Sequence, residues 1–164
     1  MLLESVVTIF DGFVWEHAVR LLAAVACGLM LGFNRDLKGK PTGMRTLGLV
    51  SLGACLVSLA ALEDPGLRNE PDALSRVVQG VLQGILTGVG FIGAGVILKD
   101  ASDHRVRGLT TAATVWLTAA LGITCALARW PLIILGLGLS LLVLLAPHQF
   151  GRKLGARSTE DDDG

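Results

Sequence analysis

Two clusters in this chain have the residue types and spacing that recognition chemistry needs. The first gathers Arg35, Asp36, Lys38, Lys40 and Arg45 between two apolar runs. The second gathers Lys99, Asp100, Asp103, Arg105 and Arg107, followed at once by Gly108, Thr110 and Thr111. A helix starting at Gly108 presents unpaired N–H groups and the positive end of its dipole, to which Thr110 or Thr111 adds a hydroxyl donor. The pattern points to an anion, either a soluble one or a lipid headgroup. The candidate ligand residues are Arg35, Asp36, Arg45, Asp100, Arg107, Thr110 and Thr111, with Arg45, Arg107 and the helix start at the centre. The plainer alternative is that the bases only set membrane topology while Asp36 and Asp100 pair locally. Asp36, Asp100 and Asp103 also offer oxygen ligands of the kind Mg²⁺ takes, but the bases beside them argue against a cation, and no metal site is expected.

A third set is polar but uncharged. Gly80, Gly84 and Gly88 repeat every four residues, with Gly95 on the same side of a helical wheel and Gln79, Gln83 and Thr87 in a row beside them. Further on, Thr110, Thr114, Thr118 and Gly122 form another single row. In a bilayer such faces let backbones approach closely and carry interhelical hydrogen bonds. Helix packing is the main reading of Gly80, Gln83, Gly84, Thr87, Gly88, Gly95, Thr114 and Thr118, and a polar cleft for a solute is the other.

Several chemistries are excluded. Gly88-Val-Gly90-Phe-Ile-Gly93 spells a dinucleotide-binding fingerprint, but it lies deep in an apolar run, and position 113, where an acidic partner belongs, is Ala. There is no phosphate-binding loop ending in Gly-Lys-Ser/Thr, no Ser-His-Asp set and no pair of buried carboxylates. Neither enzymatic activity nor a cofactor is expected. Cys27, Cys55 and Cys125 each sit in an apolar segment and read as small packing residues. His17, His104 and His148 are scattered at segment ends.

The elements that must position these residues are membrane spans. Of 164 residues, 52% are apolar and only 17% charged, with mean hydropathy +0.63. From Val77 to Leu98 there is no charge, and that run contains six glycines, a composition that would ruin a soluble helix. In lipid the helix holds, because the alternative is unsatisfied backbone. The pattern predicts an all-α, polytopic transmembrane bundle of five spans: 16–33, 46–62, 77–98, 108–127 and 131–146. Small residues line its contacts, including Ala24, Gly28 and Gly32 on the first span and Gly48, Ser51, Cys55 and Ser58 on the second. Three regions are expected: an interfacial amphipathic segment over 1–15, the transmembrane domain over 16–148, and a disordered acidic tail over 149–164.

Orientation follows from the bases. The first and third loops and the tail carry ten Lys and Arg against four on the other side (Arg20, Arg68, Arg76, Arg129). That asymmetry predicts a cytoplasmic C-terminus and an external N-terminus.

Particular motifs then resemble a known family. They are Gly28-Leu-Met-Leu-Gly32 through Arg35, Gly43-Met-Arg-Thr46 with Leu49-Val-Ser-Leu-Gly53, and Gly88-Val-Gly-Phe-Ile-Gly-Ala-Gly-Val-Ile97. Val106-Arg-Gly-Leu-Thr-Thr-Ala-Ala-Thr-Val-Trp116 with Ala119-Ala-Leu-Gly122 completes the set. Over residues 20–145 the chain resembles the MgtC/SapB family of bacterial inner-membrane proteins, in a short form without the soluble C-terminal domain. The resemblance implies a non-enzymatic regulator that serves adaptation to scarce Mg²⁺ or envelope stress and, in pathogens, virulence. It implies action on membrane partners such as the proton-translocating ATP synthase. A homo-oligomer is also expected, since one small bundle has more glycine face than it can use. The alternative is a small transporter or channel using the Gly/Thr cleft. Two positions depart from the family pattern: Asn34, where many members carry Glu, and Thr110, where virulence-type members resemble one another in carrying Asn.

Overall fold

The computed structural model describes the backbone over residues 2–64, 66, 71–99 and 106–146, with side chains from Val14 onward except at 98, 99 and 106. Among the described residues five helices follow one another: α1 (Leu2–Leu37), α2 (Met44–Leu62), α3 (Pro71–Gly95), α4 (Leu109–Ala126) and α5 (Trp130–Leu145). Between α3 and α4 the strands β1 (Leu98–Lys99) and β2 (Val106–Arg107) pair antiparallel, with Leu98 opposite Arg107. The fold is an all-α membrane bundle. Val14–Leu37, α2, α3 and α4 are each long and apolar enough to cross a bilayer, and α5 is a shorter apolar helix of 16 residues.

Local chemistry sets the boundaries. Pro131 stands at the start of α5 and Pro71 opens α3, where the missing N–H costs nothing. The third helix therefore runs from 71 to 95, six residues earlier at its start than the uncharged run suggests. Asp72 and Arg76 ride on its first turns. Gly39, at φ 57°, turns the chain out of α1, and the backbone is helical without a break from Leu2 to Leu37. Gly108 precedes α4 at φ 92°, and a Cβ there would overlap the Val96 carbonyl, so only glycine fits. The expected tail over 149–164 lies outside the described residues.

The packed centre consists of α1, α2 and α4, with α3 and α5 set against them. Close backbone approach holds the centre together. A Cβ on Gly28 would meet the Leu47 carbonyl and stand 2.8 Å from Gly48 Cα, and one on Gly32 would lie 2.6 Å from Met44 N. Gly122 of α4 packs in the same way on the Ser51 carbonyl of α2. Gly48, Ser51, Cys55 and Ser58, the small face read from the second span, are all buried. Cys27, Cys55 and Cys125 converge in this core. Without a hydrophobic difference between lipid and protein, such contact and a few hydrogen bonds carry the association of the helices.

The position of α3 differs from expectation. Rather than packing through its glycine row, it buries only Val89 and Gly93, the latter against Ala112 of α4. A Cβ at Gly80, Gly84, Gly88, Gly90 or Gly95 would meet nothing within 4 Å. The close contacts are formed by the glycines of α1 and α4 instead, because those helices face α2 along its small-residue side.

Candidate functional site

Among the described residues, the most constrained polar group is Arg35. The sequence places it in a loop, but α1 continues one turn further and carries it into the protein, where only 4% of the residue is exposed. Its guanidinium reaches three segments. Nε donates to the Thr42 carbonyl at 3.2 Å and Nη2 to the Pro41 carbonyl at 3.0 Å. Nη2 also donates to Thr111 Oγ1, and Nη1 donates to Thr114 Oγ1 at 3.3 Å. Four of its five N–H donors are thus used on neutral oxygens. Among the described residues, no carboxylate pairs with it.

Each partner is held in turn. Thr114 Oγ1 donates to the Thr110 carbonyl and Thr118 Oγ1 to the Thr114 carbonyl, both at 2.7 Å, so the threonine row is tied back to its own helix. Thr42 sits at φ 62°, a left-handed conformation that a β-branched residue adopts only under constraint. The Arg35 bonds to the carbonyls of Pro41 and Thr42 supply that constraint. Beside it, the Asp36 carboxylate accepts the Met44 N–H at 3.0 Å, placing a negative charge at the start of α2 where the dipole favours it. A Cβ on Gly43 would strike that carboxylate. Arg35 and Asp36 together fasten the end of α1 to the loop after it, to α2 and to α4.

Electrostatically the clamp is unusual. A buried positive charge faces the first turns of α4, whose dipole end is also positive, and its hydrogen bonds among the described residues go to neutral oxygens. The arrangement orders a junction of helices.

The anion-site candidates occupy different places. Arg35 and Thr111 come together, with Thr114 of the packing row beside them, and Asp36 stands next to them as a helix cap. Arg45 is exposed at the start of α2, and Arg107 is exposed on β2. Thr110 is exposed, and its carbonyl serves Thr114. Asp100 lies outside the described residues. Arg35 is therefore a cation that hydrogen-bonds to the first turns of α4. Its burial is the feature that sequence reasoning missed, and Gly28 and Gly32 on the same helix were the available signal, since that face must lie against α2.

The second polar surface is on α3. Gln79, Gln83 and Thr87 are exposed beside open Gly80, Gly84 and Gly88, and no hydrogen bond links them to the described residues. A groove of about 970 Å³ runs along them, between α3 and the end of α2 at Leu62. Thr114 and Thr118 are buried within the α4 contacts and do not line it.

Comparison with known proteins agrees with this architecture. The MgtC family profile matches residues 21–153. Protein SrpB of Synechococcus elongatus is 44% identical over 133 residues, covering 76% of this chain and 71% of SrpB. The Escherichia coli K12 protein named "Putative magnesium transporter YhiD" is 37% identical over 140 residues, covering 85% of this chain and 64% of YhiD. Protein MgtC of Salmonella typhimurium is 34% identical over 116 residues, covering 71% of this chain and 46% of MgtC. The chain thus spans somewhat under half to about 71% of these relatives. No solved structure matches it. With a match over most of its length and a helical bundle of the right kind, the chain belongs to the MgtC family.

Proposed function

We propose that this protein is a non-enzymatic regulator of the bacterial inner membrane that serves adaptation to scarce Mg²⁺ or envelope stress. It acts by docking α3 against a helix of another membrane protein. One observation carries the reading. Within a helix long enough to span a bilayer, Gln79, Gln83 and Thr87 are exposed and have no hydrogen-bond partner among the described residues. Amide groups at membrane depth need partners, and glycines with open space beside them admit a foreign backbone. The occupant is a partner membrane protein, with the ATP synthase as one candidate, or a second copy of the chain.

Gly84→Leu tests it. The added side chain enters open space, so the bundle folds as before while the docking face is blocked. Expression of this variant in a deletion strain is expected to fail to restore growth at low Mg²⁺, at unchanged protein level. Full rescue would overturn the proposal. Crosslinking from position 83 in native membranes identifies the occupant.

The groove between α2 and α3 favours a second reading, in which Gln79, Gln83 and Thr87 line part of a solute path, in line with the transport role in the name of YhiD. Proteoliposome uptake of Mg²⁺ that Gln83→Leu abolishes would support this reading over the first.

A further inference from the structure

At the basic end of the bundle, α1 and α5 diverge around a cleft of about 530 Å³. Leu29, Met30, Phe33 and Leu37 of α1 line one side and Leu141 and Leu145 of α5 the other. The volume falls within the range of roughly 300–1,000 Å³ of small-molecule sites. From Leu29 to Leu37 the cleft follows α1 for about 12 Å, along the helix axis and therefore roughly along the membrane normal. Its mouth is strapped by Lys38, whose ammonium donates to the Leu144 carbonyl of α5 at 2.9 Å.

The basic groups of that loop are largely unspent among the described residues. Lys38 uses one of its three N–H donors on Leu144, leaving two. Lys40 and Arg45 are exposed and have no partner among the described residues. Arg45 immediately follows Met44, which also lines the cleft. Among the described residues, the nearby carboxylate of Asp36 is engaged by the Met44 N–H and by the positive start of α2.

We propose that the cleft holds an acyl chain of an anionic phospholipid whose phosphate is bound by Lys38, Lys40 and Arg45. The two halves of the site require both halves of that ligand. A soluble anion would leave the apolar cleft unused, and a neutral lipid would leave the three cations unmatched. Basic pockets between spanning helices recognise anionic headgroups in this way, each cation contributing roughly fivefold in affinity. The site stands apart from the α3 docking face and does not depend on it.

The test uses the full chain in nanodiscs of mixed phosphatidylcholine and phosphatidylglycerol, with native mass spectrometry reading the lipid retained after extraction. Wild type is expected to retain phosphatidylglycerol preferentially. The variant K38Q/K40Q/R45Q is expected to lose that preference on the order of a hundredfold. All three positions are exposed, and circular dichroism of the variant is expected to show wild-type helicity despite loss of the Lys38–Leu144 bond. Arg76→Gln, at the other end of the bundle, keeps the preference, and Gly84→Leu keeps it too. Leu141→Trp, which fills the cleft, lowers retention. Equal retention of both lipids by wild type would overturn the proposal, as would a preference that survives in the triple variant or unchanged retention in Leu141→Trp. Displacement of the lipid by inorganic phosphate would also overturn it, by showing a soluble-anion site.

Discussion

Arg35 on α1 donates through Nη1 to Thr114 Oγ1 on α4 at 3.3 Å, although the two residues stand 79 positions apart in sequence. The same guanidinium holds Thr111 and the carbonyls of Pro41 and Thr42. A planar fork of five donors fits four acceptors in three directions, whereas a lysine ammonium is a compact point charge with three. Arg35→Lys is therefore expected to destabilise the protein by about 2–3 kcal/mol, the order of one or two charge-assisted hydrogen bonds. Thr111→Val is expected to cost about 1–3 kcal/mol by leaving the buried guanidinium short of an acceptor. Thermal unfolding in detergent measures both, and an Arg35→Lys protein as stable as wild type would show that the fork geometry contributes nothing.

Glycines that look alike in the sequence are expected to respond in opposite ways. A Cβ at Gly28 meets α2 backbone, with the Leu47 carbonyl and Gly48 Cα both too close, and backbone cannot give as a side chain can. Gly28→Ala should cost about 1–3 kcal/mol through overpacking. At Gly84 a Cβ meets nothing, so Gly84→Ala should leave stability unchanged or raise it by up to about 1 kcal/mol through helix propensity. Parallel unfolding of the two variants decides it. A loss at Gly84 equal to that at Gly28 in dilute detergent would place α3 inside the bundle.

This contrast shows which parts of the fold were legible in the sequence. Helix number, the small faces of the first two spans and the threonine row follow from four-residue repeats, and the structure buries Gly28, Gly32, Gly48, Thr114 and Thr118. Periodicity gives a face but not its partner. The repeat Gly80, Gly84, Gly88 therefore reads as internal packing although it faces outward. Arg35 was legible as a base and not as a buried one, because a charged residue four positions from Gly39 reads as the start of a loop. Convergence of Cys27, Cys55 and Cys125 from three helices depends on tertiary register, which no local pattern encodes.

The strain at Thr42 gives a prediction of gain. At φ 62° its branched side chain is disfavoured, and its Oγ1 is buried without a hydrogen-bond partner. Asn tolerates the left-handed region, and the carbonyl that Arg35 holds belongs to the backbone and remains in place. Thr42→Asn is expected to raise stability by about 1 kcal/mol, seen as a higher unfolding temperature. A decrease would mean that the threonine methyl or hydroxyl makes a contact worth more than the strain.

α1 grips both ends of α4. Fifteen residues before Arg35, Arg20 donates through Nη1 to the Ala126 carbonyl at 2.8 Å, at the negative end of the α4 dipole, and through Nη2 to Glu16. Thr111 and Ala126 are likewise fifteen residues apart, about 22 Å along a helix, so the two arginines match the length of α4 and fix its register against α1. Arg20 is the weaker pin, because its position admits solvent and its Glu16 partner is exposed. Arg20→Met is expected to cost about 1–2 kcal/mol, less than Arg35→Lys. Separated by that distance and sharing no partner, the two should combine additively to within about 0.5 kcal/mol in the double variant R20M/R35K. A double variant markedly less stable than that sum would show that losing one pin lets α4 slide, so that the register depends on both.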